Sequence, residues 1–136
     1  MPDYPYRTVT AFFPTTGKLS TLEIPVAASS YQLNAQQLRL YDITTKEYRL
    51  VGLYDGSFTV LDGDGVNCQI DGACLLLLDV ADGTFHPVGL VDKSLTTFSD
   101  RGQNYRHGLG VFSLLDVVDW NFYQVILDDG TFGIVY

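Results

Sequence analysis

The chain has 136 residues, of which 46% are hydrophobic and 13% aromatic, so it can bury a sizeable core and is not disordered as a whole. Its formal net charge is −8, and 8 lysine and arginine residues are too few for the broad basic face that binds nucleic acid. Most of the 16 acidic residues are aspartate, and 13 residues are glycine, a composition typical of short strands joined by tight turns. This composition predicts one all-β domain over residues 1–136, with no nucleic-acid partner.

The beginning of the sequence predicts an extended arm and no targeting signal. Residues 1–5 include two prolines, which favour an extended conformation over a place in a sheet. No basic segment leads into an apolar one here, so we expect no signal peptide and synthesis in the cytoplasm. The longest apolar run, residues 73–78, is too short to cross a bilayer, so no membrane partner is expected.

Alternation of apolar and polar residues, interrupted by proline, glycine and aspartate, predicts eight strands in the first 80 residues. The predicted strands cover residues 6–13, 18–24, 30–33, 37–43, 48–54, 57–61, 66–70 and 74–80. Residues 26–37 are rich in alanine and glutamine and would also suit a short helix. We prefer a hairpin there, because it agrees with the internal repeat described next.

A segment of 21 residues recurs twice at a spacing of 37. Residues 41–61 align without gaps on residues 78–98, with seven identities, and these align on residues 115–135, with eight. Aspartate, valine and leucine recur at the same places in all three copies: Asp42, Asp79 and Asp116; Val51, Val88 and Val125; Leu53, Leu90 and Leu127; Asp55, Asp92 and Asp129. Self-similarity at a fixed period is typical of repeat architectures. We therefore predict units over residues 6–43, 44–80 and 81–117 and a half unit over residues 118–136.

Three and a half four-strand units amount to about fourteen strands, and two architectures fit them. A β-trefoil-like barrel is the first prediction, and an open stack of hairpins completed by neighbouring chains is the alternative. In either, Val51, Val88 and Val125 should occupy equivalent buried positions. The repeated Asp55, Asp92 and Asp129 are interpreted as turn residues, because Asp-Gly is a strong hairpin signal.

The two cysteines flank a predicted turn at Asp71-Gly72. That turn would pair Gln69 with Cys74 and Cys68 with Leu75, which places the thiols on opposite faces of one hairpin. A disulfide is then excluded by geometry, and reduced thiols fit a protein made in the cytoplasm. With no histidine near them, two cysteines do not predict a zinc site.

The third unit departs from its own repeat in a polar segment, residues 101–108. Its arginines, amide, phenol and imidazole suit hydrogen bonding to, and stacking on, a sugar or another polar ligand. The candidate residues are Arg101, Asn104, Tyr105, Arg106 and His107. One repeat earlier the corresponding region is acidic, with Asp62, Asp64 and Asp71. Its first part resembles a calcium loop but lacks the glycine and the distal glutamate of an EF-hand, so we interpret it as an acidic turn. Loops of opposite charge could join neighbouring copies head to tail.

The predicted function is that of a non-enzymatic structural or interaction protein that self-associates or docks on a protein partner, for example in a virus particle. His86 has Asp82 and Ser94 nearby in sequence, but no nucleophile elbow accompanies them, so no catalytic triad is predicted. No enzyme activity, cofactor or metal is expected. A carbohydrate-binding domain of the trefoil type is the alternative, and it rests on analogy of fold.

Overall fold

A computed structural model describes residues 6–14, 16–25, 30–34, 36–61, 63, 65–98, 102–108 and 111–135. All regular elements in these residues are strands, so the prediction of an all-β protein is confirmed. The strands are β1 (Tyr6–Phe13), β2 (Lys18–Pro25), β3 (Tyr31–Asn34), β4 (Gln37–Asp42), β5 (Glu47–Tyr54), β6 (Ser57–Val60), β7 (Cys68–Asp71), β8 (Cys74–Asp79), β9 (Thr84–Val91), β10 (Ser94–Thr97), β11 (Tyr105–Gly108), β12 (Val111–Asp116), β13 (Asn121–Asp128) and β14 (Thr131–Val135). Within the described ranges no helix has the length and apolar character needed to cross a membrane.

Twelve of these strands form three antiparallel meanders, in which each strand pairs with the next. We call β3 to β6 the first meander, β7 to β10 the second and β11 to β14 the third. The first strands of successive meanders begin 37 residues apart, and the same spacing holds for their second, third and fourth strands. The predicted unit boundaries at residues 43/44, 80/81 and 117/118 fall inside the meanders, in the turns after β4, β8 and β12. A periodic pattern defines a spacing but no starting point, so the predicted units are out of phase with the pairing.

Neighbouring meanders meet through very short parallel contacts near the ends of their inner strands. Each junction consists of one residue pair, namely Leu53 with Asp79, Leu90 with Asp116, or Leu127 with Asp42. Through these junctions β4, β5, β8, β9, β12 and β13 pair in a ring. A single residue pair is a weak ladder, so side chains must hold the meanders together.

The core is built from the residues that alternate onto the inner face of each meander. Val51, Val88 and Val125 are fully buried, as predicted from the sequence. Leucines two residues further along the same strands lie beside them in one central cluster. Burying each such side chain contributes about 1.5–3 kcal/mol, so this cluster is the main source of stability.

The remaining strands, β1 and β2, form a hairpin that covers one outer face of the sheet. Strand β1 extends the edge of β14, and its Val9, Ala11 and Phe13 pack in a second apolar cluster with Tyr41 and Ile126. The ring of Phe13 occupies the notch left by Gly133, where an added Cβ would lie 2.2 Å from the ring. The hairpin is therefore a further layer on an outer face to which the first and third meanders both contribute.

Turn chemistry follows the prediction. Asp55, Asp92 and Asp129 have φ values of 55°, 52° and 55°, and the residue after each also has a positive φ. Two consecutive positive φ values are characteristic of the type I′ turn, whose twist matches that of a hairpin.

The hairpin of the cysteines has a different register from the predicted one. Cys68 pairs with Leu77 and Asp71 with Cys74, because the turn is centred one residue later, on Gly72-Ala73. The partner of Cys68 thus moves by two residues, and a shift of two preserves the face of every side chain. Both thiols are buried and unbridged, on opposite faces as predicted, and burial raises the pKa of Cys68 to about 11.

Candidate functional site

Asn104, one of the predicted ligand-binding residues, is a structural cross-link. Its buried side chain accepts a hydrogen bond from the Leu75 backbone N–H (2.9 Å) and donates to the carbonyls of Leu75 and Val88. Asn67 makes the same three contacts with Leu38 and Val51. Each asparagine precedes one meander and bonds to the meander before it. These amides reinforce the short parallel junctions.

A buried serine occupies the corresponding place before the first meander. Ser30 accepts a hydrogen bond from the Phe112 backbone N–H through its hydroxyl oxygen, at 3.3 Å. Phe112 belongs to β12, in the third meander. The first and third meanders are therefore joined by the same kind of contact as the other two pairs.

The repeated aspartates at the ends of β4, β8 and β12 also hold the junctions together. The buried carboxylate of Asp79 accepts hydrogen bonds from the backbone N–H groups of Asp55 (2.8 Å), Gly56 (2.6 Å) and Ala81 (2.9 Å). Asp116 binds the next hairpin turn in the same way. Burial by itself would raise the pKa of Asp79, but the three N–H donors outweigh it and lower that pKa. These carboxylates cap turns and are not exposed for catalysis.

His86 lies in an ionic network beside Asp79. Its Nε2 is 2.8 Å from Asp82 Oδ2 and 4.0 Å from Asp79 Oδ2. One repeat earlier Arg49 and Asp42 form an ion pair of 3.3 Å at the same place. Three metal-type donors come within 4.8 Å of one another at His86, yet the Asp79 oxygens already accept backbone hydrogen bonds. The arrangement is that of hydrogen-bonded polar side chains at the sheet rim.

Replacing Asp82 with asparagine is expected to destabilise the protein at neutral pH and to have little effect near pH 2. Hydrogen bonds from the Thr84 hydroxyl, the Thr84 backbone N–H and His86 lower the pKa of Asp82 to about 2. A carboxyl with a lowered folded-state pKa stabilises the protein above its ordinary pKa of about 4. That stabilisation is lost as the pH falls through the lowered value.

Urea unfolding of the wild-type protein and the Asp82→Asn variant between pH 7 and pH 2 measures this difference in stability. The matched control is Asp55→Asn, which removes a charge at an exposed turn where asparagine also tolerates positive φ. A destabilisation by Asp82→Asn that persists unchanged to pH 2 would contradict the assignment.

The other predicted site residues do not form a single cluster. Arg101, Asp62 and Asp64 lie outside the described residues, and Asp71 is exposed at the end of β7. The residues around His107 separate because neighbours in a strand point to opposite faces. Tyr105 is buried and stacks on His107 at 5.8 Å, whereas the Arg106 guanidinium lies over the Phe122 ring at 3.9 Å.

His107 instead joins a groove with residues that the sequence analysis did not single out. The groove, of about 570 Å³, is lined by His107 of β11 and by all four residues of β3, Tyr31, Gln32, Leu33 and Asn34. The rings of His107 and Tyr31 are 6.1 Å apart. A histidine, a tyrosine and two amide residues thus line one open groove.

A second groove, of about 520 Å³, surrounds Trp120. Its lining is largely apolar: Val91, Phe98, Gly102, Gln103, Asn104, Leu115, Val117 and Trp120. Trp120 is the one tryptophan of the chain, and its side chain is 69% exposed. Sequence analysis missed it, although the copies align it with Lys46 and Gly83, which makes it as marked a departure from the repeat as His107.

The outer surface of the protein therefore offers two candidate binding sites, the His107 groove and the Trp120 groove, while the repeated asparagines and aspartates serve the fold. Comparison of the chain with known proteins finds no matching family model, no matching curated protein and no matching solved structure.

Proposed function

We propose that this protein is a non-enzymatic assembly protein whose copies associate through the Trp120 groove. One observation carries the proposal: the groove lies on an outer face whose counterpart in the same chain is covered by the β1–β2 hairpin. Leu115 and Val117 of the groove correspond, two repeats earlier, to Tyr41 and Ile43, which pack under that hairpin. The chain itself provides an example of a β-segment covering this kind of surface.

The uncovered face exposes more apolar surface than a solvent-facing turn requires. Val118 is 57% exposed and Trp120 is 69% exposed, and Val91 lines the groove on the adjoining strand. Contiguous exposed apolar side chains mark interaction surfaces. Tryptophan is also among the residues that most often dominate binding energy at interfaces.

Charge favours a second copy of the chain as the occupant. Arg106 borders the Trp120 groove, since it lies over Phe122, the cross-strand partner of the groove residue Leu115. One repeat earlier, the sequence between β6 and β7 contains Asp62 and Asp64. A basic edge on one copy would meet an acidic edge on the next, so that the contact is head to tail.

The acidic edge also offers the apolar surface that such a contact needs. Val66 is 45% exposed and Val80 is 49% exposed, and both line a smaller groove of about 200 Å³ on that side. Opposite charges would orient the two copies, and burial of Trp120 against these valines would supply most of the affinity.

The ring of paired strands supports a trefoil-like arrangement of three meanders around a pseudo-threefold axis as the fold of each copy. Ser30, Asn67 and Asn104 would each close one of three equivalent junctions. In this proposal assembly joins copies that are complete in themselves. The alternative, an open stack completed by its neighbours, lacks a role for the contact between Ser30 and Phe112.

Replacing Trp120 with serine is expected to abolish association while leaving the fold intact, because the side chain is exposed in the single copy. Sedimentation velocity over a concentration series should show mass rising with concentration for the wild-type protein and a constant monomer mass for Trp120→Ser. Because the chain has one tryptophan, its fluorescence should shift to the blue as copies associate.

Leu19→Ser is the matched control. Leu19 is 66% exposed on β2 and lines neither the Trp120 groove nor the smaller groove of Val66 and Val80. A monomer mass for the wild-type protein at all concentrations would refute association. An unchanged mass distribution in Trp120→Ser would refute this surface. Reversing Arg106 to aspartate should weaken association and reduce its dependence on salt.

A further inference from the structure

We infer that the groove between β3 and β11 binds a neutral saccharide, as a hexose or N-acetylhexosamine residue of a glycan. This groove differs from the one between β3 and β7, which lies at the preceding position around the ring. That one is lined by Leu33, Gln36, Cys68 and Ile70 and encloses about 180 Å³. In the β3–β11 groove the lining includes His107, which corresponds in the repeat to Ile70, and the volume is about 570 Å³.

Comparison of equivalent positions in the repeat shows whether the fold requires the difference between the two grooves. Positions 37 residues apart have the same backbone setting, so the fold itself is satisfied by isoleucine where the third meander has histidine. A groove that is larger than the one between β3 and β7 and that contains a histidine is not required for packing. It is therefore best explained by a ligand.

Two aromatic groups define an apolar wall of the groove. The His107 ring is 6.1 Å from the Tyr31 ring and 5.8 Å from the Tyr105 ring, and its plane is within 18° of that of Tyr105. These ring contacts hold the imidazole in place before any ligand arrives. A sugar ring presents a C–H face that packs on aromatic rings, and a preorganised wall reduces the entropy cost of binding.

Amides supply the polar wall. Gln32 and Asn34 are exposed, and both belong to the lining of the groove. An amide has two N–H donors and a carbonyl acceptor, which matches hydroxyl groups that both donate and accept.

The charge around the groove favours a neutral ligand. None of its lining residues carries a carboxylate, ammonium or guanidinium group. Arg106 precedes His107 on β11, but its guanidinium lies over the Phe122 ring, and Arg39, the cross-strand partner of Gln32, also lies outside the lining. Recognition would depend on hydrogen bonds and ring packing, which is the chemistry of sugar binding.

The test is a titration of ¹⁵N-labelled protein, followed by amide chemical shifts, with glucose, galactose, mannose, N-acetylglucosamine and N-acetylgalactosamine, each as the free sugar. At least one sugar should shift the amides of residues 31–34 and 107 saturably, with millimolar affinity. His107→Ala and Gln32→Ala should each weaken that binding about tenfold, the effect of losing one hydrogen bond or ring contact. Ile70→Ala is the matched control, because it changes the equivalent position of the second meander and should leave the affinity unchanged.

Absence of saturable shifts with all five sugars would overturn the proposal. So would shifts confined to residues outside 31–34 and 107, or equal loss of binding in Ile70→Ala. Trp120→Ser should bind the same sugar with wild-type affinity, since the two grooves share no lining residue. Failure of assembly and failure of sugar binding are therefore separately observable.

Discussion

Replacing Val88 with aspartate is expected to prevent folding. Val88 is fully buried in the central cluster, and its backbone carbonyl accepts a hydrogen bond from the Asn104 amide. A carboxylate there would have no partner in a leucine-rich interior and would cost more than about 4 kcal/mol. Small domains are stable by about 5–15 kcal/mol in total, so most or all of the folded population should be lost.

Circular dichroism and urea unfolding measure the effect on the soluble fraction. Val91→Asp is the matched control, because Val91 lies on the same strand with 42% of its side chain exposed and should tolerate the charge. A cooperative unfolding transition for Val88→Asp near that of the wild-type protein would contradict the buried position. The corresponding Val51→Asp and Val125→Asp variants should behave as Val88→Asp does.

Replacing Asn104 with alanine is expected to destabilise the protein by about 3 kcal/mol. The variant leaves the Leu75 N–H and the carbonyls of Leu75 and Val88 without their buried amide partner. The loss should fall on the junction between the second and third meanders, where the backbone ladder is one residue pair. Hydrogen exchange of the β9 and β12 amides should therefore accelerate more than exchange in β4 and β5.

The neighbouring Gln103→Ala variant is the control, since Gln103 is exposed, and its free energy of unfolding should stay within about 0.5 kcal/mol of the wild-type value. Asn67→Ala should match Asn104→Ala, with its exchange effect moved to β5 and β8. An Asn104→Ala protein of wild-type stability would show that the junction is held by other contacts. This result would also reopen a ligand-binding role for Asn104.

Polar contacts to aspartates along the sheet rim show how the copies of the repeat differ from one another. Arg49, His86 and Tyr123 occupy the same position in three copies, and each bonds to a nearby aspartate. The hydroxyl of Tyr123 donates to Asp119, which lowers the pKa of that carboxyl. Three different side chains thus satisfy one structural need, so variation at this position carries no signal of function. His107 and Trp120 differ, because they change the size and chemistry of a surface groove.

The sequence by itself determined the all-β class, the strand positions, the buried valines and the aspartate turns. Each of these depends on local order: alternation places Val88 on the inner face, and Asp55 followed by Gly56 suits two positive φ values. The predicted register at Cys68 was wrong by two residues, but the predicted faces of the side chains were still correct, because a shift by an even number preserves them.

Only the tertiary structure decided which strands pair across the meanders. This pairing in turn decided the role of individual side chains. Asn104 has a polar amide of the kind that often binds ligands. Its side chain instead bonds to Leu75 and Val88, which are distant in sequence and adjacent in space. The phase of the meanders, the outer face covered by β1 and β2, and the exposed face around Trp120 depend in the same way on long-range pairing. A 37-residue period contains no information about which copy of a surface is covered, because that depends on where the hairpin outside the repeat packs.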